Sequence, residues 1–341
     1  MTTIDQPATP TAVDEEKLMS FVFRAVGEVA ASLNNALVVM GDQLGYYDSL
    51  ATNGASTPAE LAERTDTDVH YTREWLNAQA AGDFVTYDPS TGRYTLPPEQ
   101  ATALTDESSP VYLQGLFQTA YGSVHSTARI IEAARTGDGL GWHEQTPDVH
   151  VGCERFFKPS YQAHLVADWL PSLDGVVSKL ESGTSVVDIG CGHGASTIVM
   201  ATAFPNSQFI GVDYHDASIR TATQRAADAG VAERARFHTG KATAAPGSGY
   251  GLVTMFDCLH DMGDPVGAAK HVREAIADDG TWMIVEPAAG DHVEDNLNPV
   301  GRAYYGFSTL LCTPNSLSQD VGLALGTQAG PAKIRDVITT A

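Results

Sequence analysis

The stretch Val186-Val187-Asp188-Ile189-Gly190-Cys191-Gly192-His193-Gly194-Ala195-Ser196 constrains the fold more than any other. A β-branched run ends in an acid, three glycines follow at alternate positions, and the next residues can open a helix. That order reads as strand, tight turn and helix N-terminus, the layout of a ligand loop in a doubly wound α/β domain. Glycine permits positive φ at the turn and lets a ligand lie against bare backbone. Downstream, Phe209-Ile210-Gly211-Val212-Asp213, residues 235–239, Leu252-Val253-Thr254-Met255-Phe256 and Trp282-Met283-Ile284-Val285-Glu286-Pro287 read as further buried strands. Helices are expected between them at 196–203, 217–230 and about 266–276. This alternation predicts a mostly parallel sheet with helices on both faces.

The ligand of the loop is the next question. A dinucleotide fingerprint can be laid over Gly190, Gly192 and Ala195, so a nicotinamide cofactor is one reading. Asp188 argues against it, because a carboxylate beside a pyrophosphate is repelled. An amino acid tail with an ammonium and a sulfonium would instead welcome the acid. The pattern D-x-G-x-G-x-G resembles motif I of the class I S-adenosylmethionine-dependent methyltransferases. The cofactor set expected on this reading is Asp188, Gly190, Gly192, Gly194, Asp213, Ala242, Thr243, Phe256 and Asp257. Asp213, at the end of the second strand, is placed to chelate ribose hydroxyls. Ala242 and Thr243 belong to a loop expected to pass the adenine. Phe256 and Asp257 end the strand whose carboxyl end faces the ligand.

Ahead of this domain, Phe21, Ala25 and Val29, then Leu33, Leu37, Met40 and Leu44, mark helical stripes. Thr57-Pro58-Ala59-Glu60 is a capping box with proline at the first helical position. A second helix is expected over 69–81, and Asp88-Pro89-Ser90-Thr91-Gly92 links two short strands. Helix, turn, helix and hairpin make a winged helix. A DNA-reading role is rejected, since the would-be recognition helix offers Arg73 beside Glu74, Trp75 and Leu76, with Asp66 and Asp68 upstream. Trp75 and Leu76 suit an interface or an ordinary core. Residues 106–158 are partly helical and aromatic-rich, and a helix from about Pro159 to Leu170, broken by Pro171, leads towards the cofactor domain. Phe117, Tyr121, Phe157, Tyr161 and Tyr305 are the candidate substrate contacts. The expected domains are 1–105, 106–175 and 176–341.

Composition narrows the partners. A formal net charge of −22 over 341 residues disfavours nucleic acid and anionic membrane alike. Residues 1–16 show no secretory signal, and no apolar run is expected to span a membrane. Four scattered cysteines fit neither a zinc set nor a disulfide framework, so no metal is expected and the chain reads as cytoplasmic.

At the fourth strand's end, Leu259-His260-Asp261-Met262-Gly263-Asp264 is similar to the L-H-D-W-S-D stretch of plant-type small-molecule O-methyltransferases, which also place a winged helix before the catalytic domain. Met262 and Gly263 stand where that family has tryptophan and serine. The resemblance implies His260 as general base, held by Glu286. A neutral imidazole can take a hydroxyl proton at pH 7. The reading is methyl transfer to a small molecule, at a hydroxyl, by a homodimer. Its rivals are a nicotinamide-dependent oxidoreductase and a methyltransferase-like ligand-sensing regulator. After the fifth strand, the two further strands such a sheet normally carries are absent, which leaves an edge expected to be exposed.

Overall fold

The computed structural model describes residues 13–341. Helix α1 (Glu15–Gln43) begins where the Asp14 carboxylate accepts the backbone N–H groups of Glu16 and Lys17. Helix α2 (Tyr46–Asn53) follows. Helix α3 (Pro58–Thr65) starts at the capping box formed by Thr57 and Glu60, and α4 (Val69–Ala81) is capped by Asp68. Strands β1 (Thr86–Asp88) and β2 (Arg93–Thr95) pair antiparallel as the wing, and α5 (Pro98–Leu104) closes the unit.

Trp75 settles where α4 points. It is 2% exposed, lies edge-on to Tyr46 and Tyr47 with centroids 4.7 and 5.1 Å away, and donates its indole N–H to Leu37 O at 2.8 Å. A Cβ at Gly41 would stand 2.4 Å from the Trp75 ring, so the helix crossing requires glycine there. Leu76 is fully buried in the same core. Both residues are core rather than interface.

Helix α1 departs from the sequence reading. It is long and apolar enough to cross a membrane, with a mean hydropathy of 1.2 over its best window. The expectation of no such run overlooked how alanine and valine fill the gaps between its polar residues. Its C-terminal half packs on the winged helix, Glu28 pairs with Arg302 of the far domain, and side chains from Leu18 to Leu33 stay exposed.

Helices α6 (Gln114–His125) and α8 (Pro147–Ser160) press together, with α7 (Thr127–Thr136) between them in sequence. The contact uses small residues: a Cβ on Gly115 would meet Phe156 N at 2.3 Å, and one on Gly152 would meet Thr119 N at 2.5 Å. The helix expected to start near Pro159 instead starts at Pro147, with proline in the first turn where its missing N–H is harmless. Pro159 lies inside, and the backbone continues as a wider π-type turn over Tyr161–Trp169 before Pro171 ends it.

The second half follows the alternation. After α9 (Val176–Ser182) come β3 (Ser185–Ile189), α10 (Ala195–Ala203), β4 (Gln208–Asp213), α11 (Asp216–Asp228), β5 (Ala235–Thr239), β6 (Tyr250–Phe256), α12 (Pro265–Ala275) and β7 (Ile276–Val285). The sheet is parallel throughout in the order β5-β4-β3-β6-β7. Its strands are buried on both faces by two apolar clusters, one beneath α9 and α10, the other beneath α12. The chain then forms α13 (Pro299–Phe307), a π-type turn, α14 (Thr313–Leu317) and α15 (Gly330–Thr340), with no further strand among the described residues. The edge strand β7 is less exposed than expected: most of its residues are half-buried, and Ile334 of α15 packs on the cluster that includes Trp282 and Ile284.

Replacing Trp75 by alanine removes the centre of the N-terminal core. The expected loss is about 3–5 kcal/mol, measured as a lowered urea midpoint by circular dichroism.

Candidate active site

A cavity of about 880 Å³ opens at the carboxyl ends of β3, β4 and β6. The backbone at Gly190, Gly192 and Gly194 is left-handed, with φ of 75°, 51° and 81°. Gly190 and Gly192 lie on the cavity wall. Gly194 does not: it opens α10, and a Cβ there would meet the Phe237 ring at 2.8 Å, so it serves packing.

Asp188 requires a correction as well. It is 1% exposed and lies beneath the loop, off the cavity wall. One carboxylate oxygen accepts the hydroxyls of Ser196 and Thr197, both at 2.6 Å, and the other accepts Thr254 at 2.9 Å. Parallel pairing sets Asp188 opposite Thr254, which makes the last bond possible. The acid therefore braces loop, helix and neighbouring strand, and the repulsion argument against a dinucleotide no longer rests on it.

Asp213 does line the cavity. Its two oxygens accept Gly192 N at 2.9 Å and His215 N at 2.8 Å, so each keeps a lone pair for a ligand hydroxyl. Burial raises its pKa, and the two backbone donors oppose that. Ala242 and Thr243 border the same end. His193 bonds Glu154 at 2.9 Å on the wall, and burial pushes His215 down to about 4, keeping that imidazole neutral at pH 7.

At the end of β6, Phe256, Asp257 and Asp261 face the cavity. Burial pushes Asp257 up to about 8 and Asp261 to about 7; the His260 charge opposes both shifts and Glu286 reinforces them. His260 itself is 2% exposed and off the wall. A 3-10 turn over Leu259–Asp261 brings Asp261 to the cavity and turns the imidazole inward. There Nδ1 bonds the Glu286 carboxylate, whose other oxygen accepts Leu259 N at 2.8 Å, and the Cys312 thiol lies alongside. Burial works against the charged ring, but Glu286 outweighs it and His260 is held protonated well above its usual range. One ring nitrogen of His260 and carboxylate oxygens of Asp257 and Glu286 lie within 4.8 Å of one another, so the histidine stands directly behind the wall residue Asp257. Glu286 does hold the histidine, as the resemblance implied.

Phe157 and Tyr161 form part of the wall, with Trp142, His143 and Tyr214. Phe117, Tyr121 and Tyr305 do not. Phe117 packs edge-on to Phe84 at 6.0 Å in the winged-helix core, Tyr121 borders a separate groove along α1, and Tyr305 sits on α13 away from the opening. The segment after β7 returns to the end of β6. In the fold it clamps the 259–263 turn: Asn315 Nδ2 donates to Asp261 Oδ2 at 3.1 Å, Ser316 Oγ to Met262 O at 2.7 Å, and Gln319 Oε1 accepts Gly263 N at 3.1 Å. Asn315 and Gln319 also line the cavity, as do Glu154, Tyr214 and His215, which were not singled out. For Tyr214 and His215 the signal was available, since they directly follow a strand-end acid.

Loop, sheet order and cavity define an α/β domain of the nucleoside-binding kind behind a winged helix. Residues 180–317 match a family model described as a methyltransferase domain, and residues 32–106 match an Rv2258c-like winged helix-turn-helix domain. A search of curated proteins finds no match. Solved structures share the fold over nearly the whole length. Mitomycin 7-O-methyltransferase MmcR is 16% identical, with 95% of this chain and 93% of that chain covered and a TM-score of 0.66. Human N-acetylserotonin methyltransferase, in complex with S-adenosylmethionine, is 17% identical, with 97% and 93% covered and a TM-score of 0.65. The N,N-8-amino-8-demethyl-D-riboflavin dimethyltransferase RosA from Streptomyces davawensis is 20% identical, with 97% and 93% covered and a TM-score of 0.57. The chain thus carries a methyltransferase domain over residues 180–317 behind a winged helix-turn-helix domain over residues 32–106.

Asp188→Ala leaves three hydroxyls without their acceptor. It is expected to cost about 3 kcal/mol or more, and Asp188→Asn less; denaturant unfolding of the two variants checks the order.

Proposed function

We propose that this protein transfers the methyl group of S-adenosylmethionine to a hydroxyl of a small molecule. The observation that carries the reading is one continuous cavity joining two unlike ends within a methyltransferase domain. At one end are the Gly190–Gly192 turn, Asp213 and the 242–243 loop; at the other are Phe157, Tyr161, Trp142 and Asp257. The first end fits a nucleoside. Gly190 and Gly192 offer bare backbone at positive φ, and Asp213 has a free lone pair on each oxygen for the ribose hydroxyls. The second end fits a ring-bearing acceptor. Acids outnumber bases on the wall, and Arg220 and Lys241 are already paired with Asp216 and Asp320, so an anionic acceptor is disfavoured.

When bound, the cofactor supplies an electrophilic methyl on a positively charged sulfur. The protein's part is to hold the acceptor oxygen in line and to exclude water, which accounts for much of the rate of such displacements. His260 and Glu286 act behind the wall as a fixed pair that shapes the 257–261 turn. The division at 105 and 175 belongs to this reading, with the first domain and the linker shaping the acceptor side. A homodimer through α1 also belongs to it, supported by Phe21, Phe23, Val26, Val29 and Leu33 exposed along one helix. Light scattering is expected to give a mass of two chains, falling to one in Phe23→Glu.

Calorimetric titration tests the cofactor. S-adenosylhomocysteine is expected to bind saturably and NADH to give no heat. Asp213→Ala is expected to weaken binding by on the order of 100-fold, from two lost hydrogen bonds to a charged acceptor. Binding of NADH alone would return the oxidoreductase reading; binding of S-adenosylhomocysteine with unchanged affinity in Asp213→Ala would remove the ribose role.

A further inference from the structure

We propose that Tyr161 holds the charged sulfur of the bound cofactor, through its ring face and its free phenol oxygen. The inference rests on the S-adenosylmethionine reading above and adds to it the residue that tells a sulfonium from a thioether.

Sheet order fixes where that charge lies. Asp213 ends β4, the Gly190 turn follows β3 and Asp257 follows β6, and these three strands are neighbours in that order. A ligand that reaches from the ribose acid to the acceptor end crosses the seam between β3 and β6. The two turns meet closely there, since a Cβ on Gly190 would stand 2.6 Å from Cys258 Sγ. In S-adenosylmethionine the sulfur joins the ribose to the amino acid tail and carries the methyl that faces the acceptor. Its place is therefore over this seam.

Tyr161 reaches the same seam from the turn that continues α8, and it lines the cavity. The ionisable groups that act on its hydroxyl include Asp188 at the end of β3, and Asp257 and Cys258 after β6. Its ring lies 5.2 Å from that of Phe256 and stacks on Phe157 at 18° with centroids 6.3 Å apart. Other phenols of the fold are tied, Tyr46 to Thr72, Tyr47 to Gln79, Tyr94 to Asn77 and Tyr214 to Asn315, whereas the Tyr161 hydroxyl has no hydrogen-bond partner among the described residues. Burial raises its pKa above the ordinary phenol value, so the group is neutral and keeps its lone pairs. Tyr161 also opens the π-type turn, two residues after Pro159, which has no N–H to give to the helix. Such interruptions of a helix recur at functional sites.

A sulfonium is a cation whose attached C–H groups are polarised. An aromatic face attracts the charge, and an oxygen lone pair accepts the C–H groups. The thioether lacks the charge and the methyl alike. Tyr161 supplies both contacts without a charge of its own, so its contribution is confined to the sulfonium.

The test needs no acceptor. The full-length protein, Tyr161→Phe and Tyr161→Leu are each titrated calorimetrically with S-adenosylmethionine and with S-adenosylhomocysteine, and the quantity read is the ratio of the two affinities. Tyr161→Phe breaks no hydrogen bond within the protein and is expected to fold as before. It is expected to weaken S-adenosylmethionine by about two- to fivefold and to leave S-adenosylhomocysteine unchanged. Tyr161→Leu removes the ring as well, and the ratio is expected to fall by about tenfold or more. A ring that only packs the wall would weaken both ligands alike, and an unchanged ratio in the two variants would overturn the proposal. A ratio lost in Tyr161→Leu but kept in Tyr161→Phe would overturn the part given to the phenol oxygen. If both ligands bind and the ratio ignores Tyr161, this inference alone falls. If neither ligand binds the unmodified protein, the cofactor reading falls and this inference with it.

Discussion

A buried carboxylate with three hydroxyl donors holds the site together. Asp188 joins β3 to the first turn of α10 through Ser196 and Thr197 and to β6 through Thr254. Two of the bonds fix the helix that follows the glycine turn, and the third fixes the strand that leads to Asp257. A carboxylate can be buried this deeply when its lone pairs are occupied, and three short bonds do that here. Its depth keeps the loop fixed without placing charge on the wall. The acids on the wall are Asp213, Asp257 and Asp261 instead, one strand further out on either side.

The fold was legible because the catalytic half states its period plainly. β-branched runs end in acids at 188 and 213, glycines follow the first, and the intervening stretches have helical length. The winged helix was legible from Thr57, Pro58 and Glu60, and from the turn at 88–92. The helix that contains Pro159 was misplaced because proline near a helix start and proline before a π-type turn look alike in sequence; the deciding feature is the α6–α8 contact through Gly115 and Gly152, which is tertiary. The same contact decides the aromatics. Residues on α6 lie on a helix with two packed sides, and Phe117 turned to the winged-helix core rather than to the cavity.

Site residues were legible by position along the strands, not by the direction of their side chains. The strand-end rule placed Asp213, Phe256 and Asp257 on the wall, and they are there. It cannot tell which of His260 and Asp261 faces the cavity, because that depends on whether the turn is α-helical or 3-10. Here a 3-10 turn pinned by Asn315, Ser316 and Gln319 chose Asp261. Those three residues lie more than fifty positions away, in the part of the chain least legible in advance.

The inward turn of His260 has an electrostatic reason. A protonated imidazole and a carboxylate in a dry interior stabilise each other only when they are in direct contact, and Glu286 supplies that contact while also accepting Leu259 N. Placed on the wall, the same imidazolium would repel a sulfonium sharing the cavity. Placed behind it and neutralised by Glu286, it leaves the cavity lined by carboxyls and by neutral rings such as Trp142, Phe157 and His215. Such a lining receives a cation without a charged competitor. Where the histidine points follows in turn from the three hydrogen bonds that pin its turn.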